Sequence, residues 1–100
     1  MNERRVRFTA TARRHVDREQ TWWLERRDYQ GLFATEVESA LKILAVLPGA
    51  GTPYVRANVP GLRRLYLDKL VAHLYYTCDD EEVVIRAFWG ARREHGPNLR

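Results

Sequence analysis

Residues 62–89 hold three runs of strand-forming side chains separated only by short turns, which leaves few ways to fold. "LRRLYL" (62–67), "VAHLYYTC" (71–78) and "VVIRAFW" (83–89) are rich in β-branched and aromatic residues. The segments between them, 68–70 and the polar "DDEE" (79–82), are too short for a crossover, so consecutive runs must pair antiparallel as a meander. Alternation along the first run sends Leu62, Arg64 and Tyr66 to one face and Arg63, Leu65 and Leu67 to the other.

A three-stranded meander exposes one apolar face that something must cover, and the N-terminal half supplies the cover. "RRVRFT" (4–9) alternates, with Val6 and Phe8 on one side, and predicts a half-buried strand. Thr9 is placed to cap a helix that begins at Ala10 and runs to about Arg27, with Ala12, Val16 and Trp23 roughly in line. "DYQG" (28–31) breaks it. From about Leu32, the apolar residues Phe33, Val37, Leu41 and Leu44 recur at helical spacing until Pro48 and Gly49 end the pattern. Residues 49–61 read as a loop back to the sheet. The expected architecture is α+β, in the order β-α-α-β-β-β, with a helix hairpin packed on a small antiparallel sheet.

At 100 residues the chain makes one domain (1–100), with a basic C-terminal tail from about 90. The net charge is +4, and of the 17 basic residues only Lys42 and Lys69 are lysines. Arginine makes forked contacts to phosphate and carboxylate and stacks on aromatic rings, so a polyanionic or acidic protein partner is expected, although a composition bias would also raise arginine. Cys78 is the only cysteine, which excludes an intrachain disulfide and suits a reducing cytoplasm. "MNERRVRF" has no apolar run behind it, and the longest apolar stretch, 43–47, is too short to span a bilayer, so no membrane role is expected.

Catalytic motifs are scarce. His15, His73 and His95 are scattered and no metal or cofactor is expected. His73, inside a strand, reads as a structural histidine. "GAGTP" (49–53) lacks the Lys-Ser/Thr of a phosphate loop, and Ser39 is the only serine. Trp22 and Trp23 point about 100° apart on a helix, so Trp23 falls in the core and Trp22 is partly exposed, either wedged at the hairpin edge or anchoring a partner. Arg63, Arg64, Arg86, Arg92 and Arg93 lie on the last strands and tail, where each alone is a solvated charge but together they could grip phosphate or an acidic peptide.

The ordered set of pieces resembles the RelE/ParE superfamily of type II toxin–antitoxin toxins. The likeness spans residues 6–97. It rests on Leu-x-x-Leu-Pro-x-x-Gly (44–51), Arg-x-Leu-Tyr-Leu (63–67), the Leu-Tyr-Tyr strand, the acidic turn and Gly90-Ala91-Arg92-Arg93. The resemblance implies a cognate antitoxin partner in a hetero-oligomer, for which Trp22, Arg18 and Arg26 are the expected contacts. It also implies one of two activities: ribosome-dependent messenger RNA cleavage in RelE-like members, or DNA gyrase poisoning in ParE-like ones. The nuclease members carry lysines and an arginine on the middle strands, an arginine after the last strand and a tyrosine or histidine in the tail. Here Arg92 fits the arginine after the last strand. Arg63 and Arg64 replace the lysines and are too basic to accept a proton readily. Ala72 stands at the middle-strand arginine position and Asn98 near the tail tyrosine position. The expectation is therefore a ParE-like gyrase inhibitor, with Arg63, Arg64, Arg86, Trp89, Arg92 and Arg93 meeting the target. The alternatives are a nuclease using Arg64, Arg92 and His95, or a non-toxic binding module of the same fold.

Overall fold

A computed structural model describes residues 3–26, 31–56, 58–93, 95–97 and 99. Its elements are β1 (Arg5–Phe8), α1 (Ala10–Leu24), α2 (Leu32–Val46), β2 (Thr52–Pro53), β3 (Arg63–Leu67), β4 (Ala72–Cys78) and β5 (Glu82–Gly90). They form one five-stranded sheet in the order β1-β5-β4-β3-β2. The meander β3-β4-β5 is antiparallel as expected, whereas β1 lies parallel to β5, with Val6 beside Val83 and Phe8 beside Ile85. The sheet is therefore mixed, and β2 adds an edge strand inside the stretch read as a loop. That strand has only two residues, one of them proline, too short to leave an alternating pattern.

Both helices pack on one face of the sheet. Ala12 and Val16 of α1 and Phe33, Val37, Ala40 and Leu44 of α2 meet Leu67, Leu74, Tyr76, Val83, Ile85 and Phe88 in one core. Thr9 caps α1 by accepting a hydrogen bond from the Ala12 N–H at 3.0 Å, satisfying one of the otherwise orphaned amides of the first turn. The helix ends at Leu24, before the expected Arg27, which lies outside the described residues with most of the 28–31 break. Gly31 opens α2 at φ 81°, a left-handed conformation that glycine adopts without strain.

The loop after α2 is fastened to the sheet. Tyr76 donates its hydroxyl to the Pro48 carbonyl at 2.6 Å and accepts from the Gly51 N–H at 2.9 Å. Arg63 donates to the carbonyls of Gly49 and Gly51, at 3.2 and 2.6 Å. A Cβ on Gly51 would come within 2.6 Å of the Arg64 carbonyl oxygen, so only glycine fits here. "GAGTP" thus wraps a tyrosine hydroxyl and a guanidinium. Among the described residues no helix is long and apolar enough to cross a membrane.

Candidate functional site

The sheet face opposite the helices is only partly covered. Pairing in the β3–β4 hairpin places Arg64 beside Tyr75 and Tyr66 beside His73. β5 then places Ala87 beside Tyr75 and Trp89 beside His73. Rings run along this face: Tyr66 to His73 at 5.1 Å, His73 to Tyr75 at 5.9 Å, and Tyr75 to Tyr54 at 5.3 Å between centroids. Arg64 lies over the Tyr54 ring at 4.5 Å and Arg56 at 5.7 Å, both within cation–π range. Tyr66 is half exposed and His73 half-buried. A bulge in β5 skips Arg86 in the register between Tyr75 and Tyr76. Arg86 then donates to the Thr77 hydroxyl at 2.9 Å, so bulge and hydrogen bond fix its head beside β4.

His73, read from the sequence as a structural histidine, lies on this open face between two tyrosine rings. Burial pushes its pKa down, and the Arg64 guanidinium pushes it the same way. A half-buried imidazole held neutral near pH 7 can accept a proton. Ala72, the position compared with the nuclease arginine, is buried opposite Leu67 and Gly90 and belongs to the helix-side core, so its successor His73 is the residue that faces out. Turn length held the signal. Closing the hairpin with Leu67 opposite Ala72 sets Tyr66 against His73 and Arg64 against Tyr75.

The five arginines and one tryptophan expected to meet a target do not form one cluster. Arg64 and Arg86 join the open face. Arg63 pairs with Tyr76, on the helix side, and its guanidinium is engaged by the 49–51 carbonyls. Trp89 sits at the edge beside α1, its ring 5.1 Å from His15, with Arg18 at 5.6 Å and Arg93 at 4.2 Å from its centroid. His15 is buried and accepts the Phe88 N–H on Nδ1 at 3.3 Å. Burial lowers the pKa of His15, reinforced by Arg18, Arg14 and Arg93. Arg92 is exposed and lines a separate cleft with Glu19, Trp22, Trp23 and Lys69.

The tail does not simply project into solvent. Trp89 Nε1 donates to the His95 carbonyl at 2.6 Å, Pro97 is buried, and Leu99 packs against Leu62, Tyr75 and Ala87. His95, Gly96, Pro97 and Leu99 therefore lie over the Tyr54–Tyr75 end of the open face and leave Tyr66 and His73 at the uncovered end. Asn98 lies outside the described residues. Of the expected antitoxin contacts, Trp22 is 45% exposed and Arg26 stacks on its ring at 3.3 Å, while Arg18 turns to Trp89 instead.

This fold and its half-covered sheet can be set beside solved proteins. A chromosomal ParDE toxin–antitoxin system from P. aeruginosa aligns over 88% of this chain and 96% of its own, with a TM-score of 0.68 and 20% identity. The RelBE2 toxin–antitoxin complex from Mycobacterium tuberculosis aligns over 88% of this chain and 91% of its own, with a TM-score of 0.63 and 29% identity. No protein-family model and no curated protein matches the sequence. The fold is that of the RelE/ParE superfamily of toxins. The likeness in fold does not distinguish the ParE and RelE branches.

Proposed function

We propose that this toxin cleaves RNA without a metal, on the open sheet face, and is neutralised by a cognate antitoxin. The observation that carries the reading is His73: a half-buried imidazole, its pKa lowered, between Tyr66 and Tyr75 and beside Arg64. The expectation of a gyrase inhibitor rested on the lack of a proton acceptor, and His73 supplies one.

The chemistry needs three groups. His73 takes the proton of a ribose 2′-hydroxyl, whose oxygen attacks the adjacent phosphorus. Arg64 holds the non-bridging oxygens as negative charge builds on the phosphorane. The bond from phosphorus to the 5′-oxygen breaks, and that oxygen leaves with the proton of the Tyr66 hydroxyl; the imidazolium then returns a proton to the tyrosine. The products are a 2′,3′-cyclic phosphate and a 5′-hydroxyl. Tyr66, half exposed, and the partly buried Tyr54 offer ring edges for flanking bases, since every base can stack. Messenger RNA on the ribosome is the substrate implied by resemblance to the nuclease branch of the superfamily.

A second reading, poisoning of DNA gyrase, is favoured by Arg92 standing exposed and apart from His73. A poison needs cations for an enzyme–DNA complex but no proton acceptor. Two assays run in parallel separate the readings: RNA end mapping in a translating extract, and gyrase supercoiling with DNA cleavage. The proposal expects toxin-dependent cuts ending in a cyclic phosphate and unaltered gyrase. Inhibited gyrase with intact RNA overturns it.

A further inference from the structure

Between α2 and β3 lies a pocket that the cleavage chemistry leaves unused, with a volume of about 190 Å³. Ala40 and Ile43 of α2 and Leu65 and Leu67 of β3 give it apolar walls, and Glu36 and Lys69 add one carboxylate and one ammonium. Tyr66 lines it too, so the pocket adjoins the face that holds His73. We infer that this pocket receives a guanine base of the RNA strand, and that the Glu36–Lys69 pair reads the Watson–Crick edge of that base.

Three observations carry the inference. The first is the ion pair. Lys69 Nζ stands 3.5 Å from Glu36 Oε1, longer than the roughly 2.7–2.9 Å of a tight charge-assisted hydrogen bond, and the Glu36 side chain is only 22% exposed. A half-buried carboxylate held this loosely has room for better donors. Guanine offers them: N1–H and the N2 amino group face the carboxylate while O6 accepts from the ammonium. Adenine sets an amino group where guanine has O6, and uracil sets a carbonyl against the carboxylate. The second is the β3 edge. The Tyr54 N–H donates to the Leu62 carbonyl at 2.9 Å, so by strand alternation the main chains of Leu62, Arg64 and Tyr66 all point toward β2. β2 ends at Thr52 opposite Arg64, which leaves the Tyr66 N–H and carbonyl with no strand beside them at the pocket, free for the ribose or the outer edge of a base. The third is the division of charge. Glu36 and Asp68 line the pocket and repel a phosphate, whereas Arg64 faces the open side. The base therefore enters and its phosphate stays outside. A protein strand paired with the same edge would leave the Glu36 carboxylate without the two donors that guanine brings. Tyr66 fixes which base it is: the group that protonates the leaving 5′-oxygen lies nearest the nucleotide on the 3′ side of the cut.

This inference rests on the nuclease reading and adds to it the residues that select the base. Its test uses the whole protein and short single-stranded RNAs blocked from cleavage by a 2′-O-methyl group, alike except for the base that follows the blocked position. Affinity is read by fluorescence anisotropy, and the place of binding by the methyl NMR signals of Ala40, Ile43 and Leu65. The expected result is that the guanine strand binds about tenfold tighter than the adenine, cytosine and uracil strands, the scale of one bidentate base contact, and shifts those methyls. Glu36→Met and Lys69→Met should each remove the preference, and thermal melts check that both variants fold. Equal affinity for the four strands, no binding of any of them, a guanine preference that survives both variants, or methyl shifts caused by a strand-forming Thr-Val peptide and by no RNA would each overturn it. Cleavage of unblocked RNA, mapped in parallel, keeps the two claims apart. Cuts with no regard to the following base sink the pocket alone, and guanine-selective binding without any cleavage sinks only the nuclease reading.

Discussion

Neighbouring arginines in β3 have opposite duties, and side-chain direction decides which is which. Arg63 points to the helix side and braces two loop carbonyls. Replacing it with Met should cost about 1–3 kcal/mol, because the Gly49 and Gly51 carbonyls lose a charged donor. Arg64 faces the open side over Tyr54. Arg64→Met should cost under about 1 kcal/mol in stability, as for a surface charge, and should strongly reduce RNA cleavage. Chemical denaturation and a cleavage assay on the pair check both halves. The alternation read from "LRRLYL" separated these two faces correctly, but nothing in the six letters said which face the helices cover. Titration is also a residue-scale property. His15 and His73 both have folded pKa values below the ordinary value of about 6.5. The unfolded chain then binds more protons in the window just below that value, so stability is constant above it and falls as pH drops through the window. For His15→Asn, which keeps an acceptor for the Phe88 N–H but cannot titrate, thermal melts should fall less steeply on acidification. An unchanged slope would mean that His15 is not the acid-sensitive group.

Elements show where sequence reading succeeds and where it stops. The Thr9 cap, the start of α2, the acidic turn and all three strands of the meander follow from local pattern, because each is set by residues close in the chain. The turn at 79–82 is one case: the Asp79 carboxylate accepts from the amides of Glu81 and Glu82, both at 2.8 Å, and those bonds hold its pKa below the usual carboxylate range. The parallel pairing of β1 to β5, the two-residue β2 and the bulge at Arg86 depend on residues far apart or on one extra residue in a strand, and leave no periodic trace. The grouping around His73 was illegible for the same reason. His73 was visible as a residue but its neighbours were not, since they come from β3 and β5. The tail adds a contact of the same long-range kind: Arg92 and Arg93 are exposed, while Pro97 is buried and Leu99 packs on the sheet. Two variants test that element. Arg92→Ala should leave stability within about 0.5 kcal/mol, and Leu99→Asp should lower it by about 1 kcal/mol or more while freeing the Tyr75 end of the face. Equal melting temperatures for both would show that the strap is not bound.

At the scale of the molecule, one hundred residues carry two surfaces on a single core. The helix-side core supplies the stability, and the opposite face is left with a histidine, tyrosines and arginines that a buried core would not need. A net charge of +4 raises the local concentration of any polyanion, so association with RNA should slow as salt rises. The central claim is that a neutral His73 accepts the proton that starts RNA cleavage. Its most direct test is the single-turnover cleavage rate against pH, measured with a metal chelator present, for the wild-type protein and for His73→Asn. The account predicts that the wild-type rate stays level near neutrality, falls only at pH below the ordinary histidine range with a slope of one, and ends in 5′-hydroxyl products. It predicts that His73→Asn loses at least about 100-fold across the range, the usual scale for removing a general base. A variant that cleaves as fast as wild type, or a wild-type protein with no cleavage at any pH, would contradict it.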